Sequence, residues 1–126
     1  MLDLIDSSGW LEYFAEGSNA DQLGKAIESS EGLIVPTVVL YEVFKRILHQ
    51  SGQGEALSKY ALMTEAVVVA LDAQMAVEAA RLSLATRLPM ADSIILATAN
   101  AYGATIWTED RQFQDLDRVR YISRDA

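Results

Sequence analysis

Residues 88–113, LPMADSIILATANAYGATIWTEDRQF, constrain the fold more than any other stretch of the chain. They read as a helix, a turn, a short strand and a second turn. Pro89 falls in a first helical turn, where the missing N–H costs no intrahelical bond. Asp92 follows, where a negative charge meets the positive end of the helix dipole. Ile94, Ile95, Leu96, Ala97 and Ala99 leave this helix apolar on most sides, so it must be covered. Gly103 is expected at its C-cap, because glycine takes a left-handed backbone without steric cost. Residues 104–108 are too few for a helix and suit a parallel strand buried on both faces. That strand runs into Thr108, Glu109 and Asp110. Helix starts and strand ends share one edge of an open α/β sheet, the edge where ligands bind. Asp92 and Asp110 are both expected there.

The rest of the chain repeats the alternation. A short strand is predicted over Leu2–Ile5, ending at Asp6, with Ser7 or Ser8 capping a helix over 9–15. A helix over 21–30 and a strand that begins at Gly32 and runs through Val35 follow, the latter stopped by Pro36. Thr37 is expected to cap a helix over 38–50, and Ser-Gly-Gln-Gly at 51–54 reads as the clearest loop. A helix over 55–65 leads to a β-branched third strand at 66–71. Asp72 is placed to cap a helix over 73–86, and an edge strand at 120–122 closes the chain. Strands that alternate with helices predict a mostly parallel sheet with helices on both faces and right-handed crossovers. Residues 1–126 read as one domain, without repeats.

Composition narrows the function. The formal net charge is -8, which excludes a general nucleic-acid coating protein. An acidic enzyme still acts on nucleic acid where bound cations and a local basic patch offset the repulsion, and an acidic surface suits a basic protein partner. Cysteine is absent, which fits a reducing cytoplasm and leaves no thiolate metal site. His49 is the only histidine, so a multi-histidine zinc site is excluded. No apolar run reaches the roughly 18 residues of a membrane span, and the N-terminus lacks the basic start of a secretory signal.

Four carboxylates fall at equivalent places: Asp6 at the end of the first strand, Glu42 near the start of the helix after the second, Asp92, and Asp110. Clustered carboxylates repel, and divalent cations remove that penalty. An all-oxygen set suits one or two Mg²⁺ or Mn²⁺ ions, and such a site suits phosphodiester hydrolysis. Each residue also has a purely structural role open to it. Asp6 is equally a helix cap, Asp92 a helix-dipole aspartate, and Asp110 a turn residue. A helical wheel sets Glu42 opposite Val39, Val43 and Ile47, in reach of an i,i+4 pair with Arg46. Asp3, Glu109, Asp115 and Asp117 read as surface charges, with Asp115 or Asp117 able to reach a site from the loop after Asp110. Thr108 and Ser7 offer hydroxyls to a carboxylate or phosphate, or to local turns and caps. Lys45, Arg46 and Arg111 are either phosphate contacts or solvated charges, and His49 reads as a surface residue.

The segments LIDSSGWLEYF, PTVVLYEVFKR, MADSIILATANAYGA and IWTEDRQF together resemble the PIN-domain family, in particular the VapC-type ribonuclease toxins of toxin–antitoxin pairs. The resemblance spans nearly the whole chain and keeps the motif order. It implies a three-layer α/β/α sandwich and a Mg²⁺- or Mn²⁺-dependent endoribonuclease that hydrolyses RNA with metal-activated water. It also implies a homodimer and a cognate antitoxin that blocks the site. Residue by residue, the family's acidic site falls on Asp6, Glu42, Asp92 and Asp110, and its hydroxyl residue on Thr108; Asp115 is a candidate fifth acid. Two other readings stand beside it. One is a phosphoreceiver-like module with Asp72 as acceptor, although no acidic pair follows the first strand and no lysine lies beyond Lys59. The other is a catalytically idle partner-binding domain whose carboxylates only cap helices.

Overall fold

Every strand pairing among the described residues, 2–124, is parallel. In the computed structural model the elements follow in the order β1 (Leu2–Ile5), α1 (Ser7–Phe14), α2 (Ala20–Ser29), β2 (Gly32–Pro36), α3 (Thr37–Ser51) and α4 (Gln53–Met63). They continue as β3 (Val67–Val69), α5 (Ala73–Thr86), α6 (Met90–Tyr102), β4 (Thr105–Thr108) and β5 (Val119–Tyr121). A 3-10 turn at Arg111–Phe113 joins the last two strands. The sheet order is β3-β2-β1-β4-β5. The chain therefore starts at the centre, winds outward to β3, and crosses back to β4 on the other side of β1. That reversal lies between β1 and β4, where such folds bind ligands. Asp6 leaves β1 there, its amide still donating to Trp107 of β4 at 3.1 Å.

The same order excludes the receiver-like arrangement, in which the third strand lies directly beside the first. Here β2 separates them. Asp72 instead caps α5, accepting from the Met75 amide at 2.8 Å.

Leu4 and Ile5 are both fully buried. Successive strand residues face opposite sides of a sheet, so both faces of β1 are covered, as an α/β/α sandwich requires. Helix α6 is buried through seven consecutive residues, Ser93 to Ala99. Its two buried hydroxyls are satisfied by nearby carbonyls: Ser93 donates to Leu88 and Pro89, and Thr98 donates to Ile94. Gly103 ends the helix with φ of 63°, the expected left-handed cap.

Several expectations are corrected. Asp6, and neither serine, caps α1, accepting from the Gly9 amide at 2.9 Å. Thr37 does not cap α3; its hydroxyl accepts from the Leu71 amide at 3.4 Å. Pro89 sits one place before α6, at its N-cap position. The loop expected at 51–54 shrinks to Gly52, because Ser51 completes α3 and Gln53 opens α4. The third strand is shorter than its β-branched run. It lies on the sheet edge, with Val67 62% exposed and Val69 buried. Asp3 is more than a surface charge, since it accepts from the Trp107 indole at 3.0 Å and the Ser30 hydroxyl at 2.7 Å.

Candidate active site

The four expected carboxylates line one cleft of about 900 Å³ at the sheet edge. They arrive from four elements. Asp6 comes from the end of β1, Glu42 from α3, Asp92 from the first turn of α6, and Asp110 from the turn after β4.

Asp6 is the most deeply held, 3% exposed. One carboxylate oxygen accepts from the Gly9 amide and from the Ser8 hydroxyl at 2.7 Å. The other accepts from Thr108 at 2.5 Å, which leaves that oxygen one lone pair toward the cleft. Burial pushes the Asp6 carboxyl up to about 6. The Thr108, Gly9 and Ser8 hydrogen bonds hold it back, and the Asp110 charge adds to the rise. The Thr108 hydroxyl, fully buried, also accepts from the Asp110 amide at 2.8 Å. Of the roles expected for Thr108, the hydroxyl fills both the carboxylate contact, to Asp6, and the local turn contact, to the Asp110 amide. The Asp110 side chain in turn caps the 3-10 turn through the Gln112 amide.

Asp92 stands half-buried at the start of α6 and is pushed up to about 7. Burial is the largest cause, followed by the Asp110 charge, a hydrogen bond shared with Asp110, and the charges of Asp6 and Glu42. A single proton between two carboxylates is the usual relief when neither can ionise freely beside the other. Glu42 departs from its helical-wheel expectation. Its carboxylate turns toward α1 and accepts from Ser7 at 2.5 Å.

Lys45, Arg46 and His49 also line the cleft, on the exposed face of α3. The Lys45 ammonium lies over the Tyr41 ring, 5.5 Å from its centroid. Asp115 is exposed and does not line the cleft. Glu109, expected at the surface, is 5% exposed. Its two oxygens accept from Asn19 at 2.7 Å and from the Arg124 Nε at 3.0 Å. Sequence reasoning misses Asn19 and Arg124 altogether and gives Ser8 only a capping role. Ser8 links the two strand ends, donating to Asp6 and accepting from the Glu109 amide at 3.0 Å.

The donors suit a hard divalent cation. All are oxygens, and their mutual repulsion is visible in the Asp92 carboxyl. Among the described residues no three histidine, aspartate or glutamate side chains are arranged to hold one metal ion together. A cation bound here would take one or two carboxylates and complete its shell with water.

A family model, PIN domain, matches residues 4–119. The chain belongs to the PIN-domain family. No protein of curated function matches it. Solved structures share the fold of this PIN domain at low sequence identity. A toxin–antitoxin complex from Klebsiella pneumoniae aligns with a TM-score of 0.80 at 18% identity, covering 95% of this chain and 99% of the other. Mycobacterium tuberculosis VapC20, a sarcin-ricin loop cleaving toxin, aligns at 0.77 with 17% identity over 93% and 95%. VapBC2 from Rickettsia felis, bound to promoter DNA, aligns at 0.74 with 13% identity over 98% of each chain. Among the described residues of this PIN domain, no helix is long and apolar enough to cross a membrane.

Proposed function

We propose that this PIN domain is a VapC-type toxin: an endoribonuclease, dependent on Mg²⁺ or Mn²⁺, that hydrolyses RNA phosphodiester bonds. One observation carries the reading. Four carboxylates from four separate elements face one cleft, where burial and the other three acids push Asp92 up to about 7. Helix capping alone does not require them to converge. Asp6, Asp92, Asp110 and Glu42 are the residues that would hold the metal, one or two of them directly and the others through its bound waters. When bound, the cation supplies a water of lowered pKa and offsets charge on the phosphate.

The chain's own residues do the rest. Thr108 and Ser8 fix the Asp6 carboxylate, and Thr108 also fixes the Asp110 backbone. Ser7 orients Glu42. Lys45 and Arg46 steady the RNA backbone beside the acidic groups, where an exposed cation offsets repulsion from a protein of net charge -8.

The structures that share this fold include toxin–antitoxin complexes. That supports a cognate antitoxin as partner; a homodimer and a cytoplasmic location are proposed from the family resemblance alone. The test incubates purified protein with total RNA, tRNA and rRNA in Mn²⁺, in Mg²⁺ and in excess EDTA. Discrete fragments that require the metal support the reading. Undiminished cutting in EDTA, or a folded protein that binds neither metal nor RNA, overturns it.

A further inference from the structure

We propose that Arg124 is a phosphate contact on the Asp110 side of the cleft, held in place by the buried Glu109 carboxylate. The proposal rests on the nuclease reading and adds where the RNA strand runs. The Glu109 side chain is 2% exposed, whereas that of Arg124 is 67% exposed. Only the Nε edge of the guanidinium meets Glu109, at 3.0 Å. Asn19, itself buried, donates to the second Glu109 oxygen and to the Ser123 carbonyl, so one residue ties the Glu109 carboxylate to the backbone just before Arg124. A guanidinium fixed along one edge presents its remaining N–H groups in a preset fork, the geometry that recognises phosphate.

Arg124 borders both the acidic cleft and a second recess of about 370 Å³ that opens beside it. Ser8, Asp110, Arg111 and Tyr121 share that recess. The sheet order explains the layout. Lys45 and Arg46 follow β2 on one side of β1, while Arg111 follows β4 and Arg124 follows β5 on the other. An RNA strand laid across the acidic groups then meets cations on both flanks. The acids face the scissile phosphate, and Arg124 meets a phosphate next to it.

The competing account is that Arg124 only neutralises Glu109, because a buried carboxylate demands a partner. A double-mutant cycle separates the two. Arg124→Gln, Glu109→Gln and the double variant are made in an Asp92→Asn background, so that cleavage does not intrude. Binding of a labelled mixed-sequence single-stranded RNA and of tRNA is followed by anisotropy at low and near-physiological salt, in Mg²⁺. A phosphate contact predicts that Arg124→Gln weakens binding about tenfold at low salt. It also predicts that the slope of log K against log salt falls by about 0.7 on the single strand. The double variant must stay weak, and it is the folded reference if the single variant, with its buried charge unpaired, does not fold. Wild-type affinity and slope in the double variant, or in Arg124→Gln itself, overturn the proposal. So does failure of the Asp92→Asn protein to bind either RNA. Wild-type cleavage in Mn²⁺, run alongside, keeps the two failures apart: cleavage with unaltered binding in the variants removes Arg124 alone and leaves the nuclease reading standing.

Discussion

The Thr108 hydroxyl donates to Asp6 and accepts from the Asp110 amide, so one buried oxygen fixes two of the four acidic positions. Valine has nearly the same shape and neither bond. Thr108→Val therefore strands the partly buried Asp110 amide and removes the strongest hydrogen bond holding the Asp6 carboxyl down. The expected cost is about 1–3 kcal/mol in urea unfolding, with the Asp6 carboxyl rising further. An unchanged urea midpoint would show that the two bonds contribute nothing. At this scale the sequence is partly legible. Asp6, Asp92 and Asp110 stand out from their places at strand ends and a helix start, and the family resemblance restores Glu42, which its helical wheel turns outward. Glu109 escapes sequence reading because its burial depends on Asn19 and Arg124, both distant in sequence, and nothing local marks them.

Helix α6 sets the geometry of Asp92 because it cannot shift: seven consecutive residues are buried between its neighbours. Its apolar run, its leading proline and its terminal glycine make it the most legible element of the chain. The break between α3 and α4 is the least. Ser-Gly-Gln-Gly has the composition of a loop, yet only Gly52 leaves the helices, with φ of 88° and ψ of 175°. That conformation is nearly exclusive to glycine. No atom lies within 4 Å of where a Cβ would stand, so backbone strain alone decides the effect of a substitution. Gly52→Ala is expected to destabilise the protein by roughly 1–3 kcal/mol, read from the urea midpoint, and to leave metal binding intact because α3 keeps Glu42 in place. The edge position of β3 is likewise hidden: a run of valines states strand preference, not which neighbour the strand finds.

For the molecule as a whole, stability and the site oppose each other in the absence of metal. Asp6 and Asp92 are raised to about 6 and about 7 from an ordinary value of 3.8. A carboxyl raised in the folded state favours folding below its unfolded pKa, and that advantage is lost as pH climbs through the folded value. Metal-free protein is thus expected to lose stability between about pH 4 and pH 7. The buried Asp6 alone accounts for up to roughly 3 kcal/mol, and the half-exposed Asp92 for less than its shift suggests. Thermal unfolding should show Tm lower by about 5 °C or more at pH 8 than at pH 5, with Mn²⁺ restoring most of the loss at pH 8. A Tm that is flat with pH and indifferent to Mn²⁺ would mean that the carboxylates do not strain one another.

If convergence of these carboxylates makes an RNA-cleaving metal site, removing one of them must stop cleavage without unfolding the protein. The most direct measurement compares cleavage of the same RNA in Mn²⁺ by wild-type protein and by Asp92→Asn, with circular dichroism to confirm that both are folded. The asparagine amide keeps the shape of the carboxylate and relieves repulsion in the cluster, so the variant should fold at least as well as the wild type. Cleavage should fall by about a hundredfold or more, the scale of removing one group that stabilises charge in a transition state. Equal cleavage by the folded variant would contradict that role for the carboxylates.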